Sequence, residues 1–410
     1  MSTRAINVRS MVFGLLVSAT AVLAFGLAMT PTAKAEGQQV SKPVWEKYEP
    51  AQAAFKNKDY AAALKLAKEG LAVSKSSFEK LACLTVAYQS AVNSRTYSEA
   101  IEAGEQLIAV EGVPSQTKLS TLKVLPQLYF ATNRLDKAVT AQKEYMRIAG
   151  SNSSEDWNML AQMYSQQKNC ADALPALEKA LAGGKSASEP QLQLQSACFA
   201  KGTDFDKRLA VNEELLRRFP KKDYFKQVLF VYQATKKLDD YAYAQLLRFG
   251  YEHDYLDADS DYTKLAEMAL DVGTTGEALR ILEKGIAKKT LKAADKVARL
   301  LDQAKSRSAD DAKRVDQLDK EARAGKNGDT DLKVGYIYFG MGQYDKAAEA
   351  IARALQPDHV AKVKRVDDAN MMLGVAYTHG HKKAEADKAF AAAKAAPQMA
   401  AVAKIWTSGN

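Results

Sequence analysis

The segment WNMLAQMYSQQKNCADALPALEKAL (157–181) carries two helical patterns back to back. Trp157, Leu160, Ala161 and Tyr164 fall at i, i+3, i+4 and i+7, one face of a helix. Lys168-Asn169 supplies a polar turn, and Ala173, Leu177, Ala180 and Leu181 then fall at i, i+4, i+7 and i+8. The spacing predicts two amphipathic helices of about 14 residues each. Ala161 and Ala173 let the two backbones approach, while Trp157 and Tyr164 fill the space beside them. A pair this short cannot bury both apolar faces alone and needs neighbours.

The same arrangement recurs. With Trp157 as the fourth residue of a unit starting at 154, matching units start at 328 (Gly335, Tyr338, Tyr344, Ala347, Ile351, Ala354) and at 367 (Leu373, Gly374, Tyr377, Ala386, Phe390, Ala393). Weaker copies start near 44, 81, 119, 189, 222 and 259. The interval from 259 to 328 holds two charged helical stretches, KAADKVARLLDQAK and DAKRVDQLDKEARAG, read as one degenerate unit. Ten units of roughly 33 to 39 residues then tile 44 to about 400.

These residues resemble the tetratricopeptide repeat (TPR) family over essentially the whole chain after the N-terminal segment. The resemblance implies an all-α fold, a TPR-type α-solenoid of about ten helix-turn-helix repeats with right-handed superhelical stacking. It also implies a groove lined by the first helix of each repeat, used to bind peptides or protein surfaces. The proline expected near the end of each repeat is mostly missing. Pro175 lies inside a second helix and is expected to distort it. The insert QPDHVAKVKRVDDA before the last unit is read as a longer helix or a loop.

The ends have their own logic. Arg4 and Arg9 precede the apolar run MVFGLLVSATAVLAFGLAM (11–29), and AKA (33–35) offers a small-x-small cleavage site before Glu36. Residues 1–35 therefore read as a signal peptide of bacterial type, followed by a short lead (36–43), the repeat array (44–396) and a C-terminal capping helix and tail (397–410). The expected location is the periplasm; an uncleaved inner-membrane anchor is the alternative. No membrane span remains after cleavage. Net charge is +9, of which Arg4, Arg9 and Lys34 contribute three, and the rest is interspersed. That reads as a solvated surface rather than a nucleic-acid face.

Chemistry is sparse. No Gly-rich phosphate loop or Gly-x-Ser-x-Gly elbow occurs, and no nucleophile is brought to a base by sequence. THGH (378–381) occupies an inter-helix turn without other ligands at metal spacing. Catalytic residues, a cofactor and a bound metal are therefore not expected. Cys83, Cys170 and Cys198 lack zinc-type spacing and read as buried thiols. Cys170 opens a second helix and Cys198 lies late in the next first helix, so antiparallel neighbours can bring this pair within bridging reach.

The groove positions are the second, fifth, ninth and twelfth of each unit. In the middle of the chain they are polar: Lys123, Gln127, Glu155, Asn158, Gln162, Asp223 and Lys226. In the last two units they are Leu332, Tyr336, Phe339, Met371 and Val375, expected either to form an apolar docking site or to be buried by irregular packing. The reading is a non-enzymatic envelope scaffold that binds another envelope protein or peptide segment, with TonB-type outer-membrane uptake as the machinery by analogy. A peptidoglycan- or polysaccharide-associated binding protein, or a subunit of an export or assembly complex, is the alternative. The sequence leaves the oligomeric state open.

Overall fold

The computed structural model describes residues 40–292 and 295–407. The expected signal peptide, part of the lead and the last three residues lie outside that range. No strand occurs among the described residues. The chain divides into two compact units, one ending at Ala187 and one starting at Ser188.

Among the described residues the first unit is four helix pairs in series: α1 (Lys42–Lys56) with α2 (Tyr60–Val73), α3 (Ser77–Asn93) with α4 (Tyr97–Ala109), α5 (Ser115–Ala131) with α6 (Leu135–Ala149), and α7 (Ser154–Gln166) with α8 (Cys170–Ala180). Each first helix ends in the same way. Lys58, Arg95, Asn133 and Lys168 adopt φ between 59° and 63°. This left-handed residue stops the helix and turns the chain into its partner. Side chains cap two of the new N-termini: Asp59 accepts from the Ala62 amide at 3.0 Å and Asn169 from the Asp172 amide at 3.3 Å. Ser76 and Glu79 form a reciprocal capping box. Small residues permit the close approach within pairs: Ala63, Ala100, Ala138, Ala161 and Ala173 have no exposed surface. Helix α8 runs without interruption through Pro175.

The second unit contains α9 (Glu189–Phe199), α10 (Phe205–Arg218), α11 (Lys222–Thr235), α12 (Asp240–Glu252), α13 (Asp259–Val272) and α14 (Thr275–Ala287). It continues with α15 (Asp295–Gly325), α16 (Gly328–Gly340), α17 (Tyr344–Ala354), α18 (Val366–His379), α19 (Lys383–Ala393) and α20 (Pro397–Trp406). The degenerate unit expected between 293 and 327 is one 31-residue helix, not a pair. SRSAD, which joins its two charged halves, holds no Gly or Pro to break it. Its buried residues are Val297, Ala304, Asp311, Val315 and Ala322, a single stripe at steps of mostly seven. The insert before the last unit is a loop with one 3-10 turn, Val360–Lys362.

Helix α20 does more than cover the final pair. It packs on α19 and α18 and also reaches back to α10 and α12. Met399, Val402, Ala403, Ile405 and Trp406 are all buried. The Asp239 amide donates to the Gln398 side chain at 2.9 Å, and Arg365 pairs with Asp239 at 3.0 Å. Helix α12 also touches α18, so the late helices of this unit close onto its early ones.

Candidate protein-interaction site

The first-helix face is where the two units differ most. In the first unit it stays open and polar. Asn158 and Gln162 sit one turn apart on α7, both half-buried. The equivalent positions on α5 are Lys123 and Gln127, and on α3 Thr85 and Gln89. Gln52 on α1 completes the series, so glutamine occupies the ninth position of four consecutive units, at separations of 37, 38 and 35 residues. All four are half-buried. A parallel row of half-buried side chains, Phe55, Val92, Phe130 and Ser165, runs one turn further along the same helices. The Gln52 amide donates to the Tyr48 hydroxyl at 2.5 Å. The shielded Gln127 Oε1 accepts no hydrogen bond, which leaves a buried acceptor unsatisfied.

Sequence reading singled out Gln127 and Gln162 but missed Gln52 and Gln89. The signal was the repeat period itself: once unit starts are assigned, the ninth positions of the first four units read Gln, Gln, Gln, Gln. The second unit breaks the series with Ala197, Phe230, Glu267, Tyr336 and Val375.

In the second unit the same face is filled. Tyr336 is 5% exposed, Phe339 1%, and Met371 and Val375 have no exposed surface; Leu332 is half-buried. The solvent-facing apolar groove expected of these residues is therefore absent from this closed arrangement. The physical reason is a buried polar network that joins four helices. Arg248 on α12 grips Glu277 on α14 with two hydrogen bonds of 2.6 and 3.0 Å and donates a third to Gln245 at 2.7 Å. Gln245 donates to Asp368 on α18 at 2.7 Å, and the Tyr336 hydroxyl on α16 donates to the other Asp368 oxygen at 2.9 Å. Burial pushes Asp368 above the ordinary carboxylate range. Burial also pushes Glu277 upward, but the Arg248 guanidinium outweighs it and holds Glu277 low. Phe339 lies edge-on to Tyr344 and beneath the Arg248 guanidinium.

Other polar residues resolve as structure. Lys226 pairs with Asp257 at 2.5 Å. His379 stacks on Tyr344 at 4.0 Å, while His381 takes the left-handed turn, so the two imidazoles of THGH have separate roles. Among the described residues no group of three or more His, Cys, Asp or Glu is arranged to hold a metal ion, and no helix is long and apolar enough to cross a membrane. Cys83 is a buried free thiol.

The chain is similar to several known proteins. A solved tetratricopeptide repeat protein from Parabacteroides merdae aligns at 13% identity over 64% of this chain and 99% of its own, with a TM-score of 0.35. A Naa15/Naa10 structure bound to HypK-THB aligns at 14% identity over 86% of this chain and 58% of its own, with a TM-score of 0.42. A thermophilic TPR protein of Thermus thermophilus aligns at 17% identity over 46% of this chain and 98% of its own, with a TM-score of 0.26. No curated protein matches the sequence. The family model for the tetratricopeptide repeat matches residues 158–190, within which Leu160, Ala161, Tyr164 and Ala173 pack as the motif requires. The described residues are all helical, and the helix pair of α7 and α8 is where the tetratricopeptide model matches.

Proposed function

We propose that this chain is an exported periplasmic scaffold that binds an extended segment of another cell-envelope protein, in a machinery of the TonB-type uptake class. The observation that carries the binding role is the row of four glutamines on the open first-helix face. A carboxamide both donates and accepts, which suits the alternating N–H and C=O groups of an extended backbone. Helices α1 and α3, which carry Gln52 and Gln89, pack on one another; packed helices lie about 8–10 Å apart, about the span of three extended residues. Phe55, Val92 and Phe130 offer apolar contact beside that row. The basic, apolar N-terminal segment with its small-x-small site supports export.

The test is in-cell cross-linking followed by pull-down, comparing the native chain with Gln89→Ala/Gln127→Ala/Gln162→Ala. The native chain is expected to capture a defined envelope protein and the triple variant to lose it while keeping its helical spectrum. Equal capture by both would overturn the assignment of the face. Fractionation of the same cells tests export: a mature N-terminus at Glu36 in the periplasmic fraction supports it, and an intact N-terminus held in the membrane favours the anchor.

A further inference from the structure

The first unit carries a second recess, on its second-helix side. A cleft of about 390 Å³ lies between α6 and α8, with α7 as its floor. Trp157, Leu160 and Tyr164 line the bottom, and Lys143, Arg147 and Lys179 line the walls. A neighbouring recess of about 380 Å³ shares Lys179 and adds Lys185. Three cations thus line the cleft with the two aromatic rings, and a fourth, Lys185, lies in the adjoining recess. The carboxylate lining the cleft is Asp172, and it accepts a hydrogen bond from the Asn169 amide at 2.7 Å.

Lys143 and Lys179 differ from three other lysines of the same unit. Lys47, Lys68 and Lys137 each hold a carboxylate at 2.7 Å. Lys179 instead rests over the Trp157 ring, 4.1 Å from its centroid, and Lys143 over the Tyr164 ring at 5.4 Å. Such contacts at an exposed site are weak, so they yield readily to a better partner. A carboxylate is that partner, and as the ammonium moves to it the ring face beneath is uncovered. An acidic peptide with an aromatic or aliphatic residue among its carboxylates matches both features at once.

We propose that this cleft is a second docking site, specific for an acidic peptide segment that carries an apolar anchor residue onto Trp157. The proposal rests on the reading of the chain as a protein-binding scaffold, but it uses a different face from the glutamine row. Carboxylates replace the two rings as partners of Lys143 and Lys179, and Arg147 and Lys185 extend the positive rim.

Tryptophan fluorescence of the mature chain, titrated with a random Glu/Tyr copolymer and with polyglutamate of equal charge, tests it. The copolymer is expected to bind at least tenfold more tightly, a difference of about 1.4 kcal/mol. Lys143→Glu/Lys179→Glu is expected to lose at least tenfold in copolymer affinity, and Lys179→Arg to retain it. Both lysines are exposed, so the fold should survive, and a far-UV spectrum checks this. Equal affinity for the two polymers would mean non-specific attraction to a basic chain and would overturn the site, as would a charge reversal without effect. The glutamine triple variant is expected to keep copolymer binding. If copolymer binding fails while the native chain still captures an envelope partner that the lysine reversal leaves untouched, the scaffold stands and the cleft falls.

Discussion

Trp406 donates its indole N–H to the backbone carbonyl of Gln245, 161 residues earlier, at 3.2 Å. The same ring meets Phe249 edge-on at 5.4 Å and stacks on Phe390 at 5.9 Å. The last helix is therefore part of the second unit's core, and its loss reaches far along the chain. Trp406→Ala is expected to destabilise by about 3–5 kcal/mol. Hydrogen exchange should locate the effect: amides of α12 lose protection together with those of α19. Unchanged protection in α12 would show that the clasp contributes nothing there.

The Arg248–Glu277 pair is almost fully buried, 2% and 3% exposed at the side chains. Removing one partner strands a charge, so Arg248→Met or Glu277→Leu alone is expected to cost about 3–5 kcal/mol. The double variant should recover much of that, because two desolvation penalties disappear together. Urea unfolding of the three variants gives the coupling energy, and strict additivity would contradict the network.

Tyr336 and Phe339 belong to the same interior. Tyr336→Ala with Phe339→Ala is expected to unfold the second unit rather than to impair binding selectively. Tyr336→Phe keeps the ring and removes only the hydrogen bond to Asp368, at a cost of about 1–3 kcal/mol since a buried carboxylate loses a donor. Thermal unfolding of both variants separates these magnitudes.

Glu79 is a buried pH-sensitive point of the first unit. Its carboxylate accepts from the backbone amides of Ser41, Lys75 and Ser76 at 2.8, 2.7 and 3.1 Å, and the Ser41 side chain first, then these amides, hold its pKa at about 2. A depressed folded pKa adds stability that is complete above the ordinary value of 4.5 and lost as pH falls toward 2. With screening, the contribution is about 1–2 kcal/mol. Glu79→Gln should flatten the melting temperature against pH across that window and leave the profile above it parallel to the native one.

The three cysteines make a covalent prediction. Titration of the purified, unfolded and unreduced chain should find one free thiol, Cys83, and three after reduction. Finding three before reduction would remove the proposed Cys170–Cys198 bridge.

Much of this architecture was legible before any coordinates. Helix pairing follows from apolar spacing, and the small residues at Ala161 and Ala173 mark where backbones approach. Turn positions are less obvious, since Lys58, Arg95 and Lys168 carry left-handed backbone without being glycine. The long helix α15 was misread as two because its charged halves look like separate amphipathic segments, although nothing between them ends a helix. The glutamine row was fully present as text and needed only the register of the units.

Burial of Tyr336, Phe339, Met371 and Val375 is a different matter. Spacing along one helix records which side chains turn away from that helix's own partner. It carries no record of whether a segment a hundred residues distant returns to cover them. Here Gln245 meets Asp368 across 123 residues, and Trp406 meets Gln245 across 161. Local periodicity thus decides the pairs and their order, while the choice between an open face and a filled one belongs to contacts made only when the chain closes on itself.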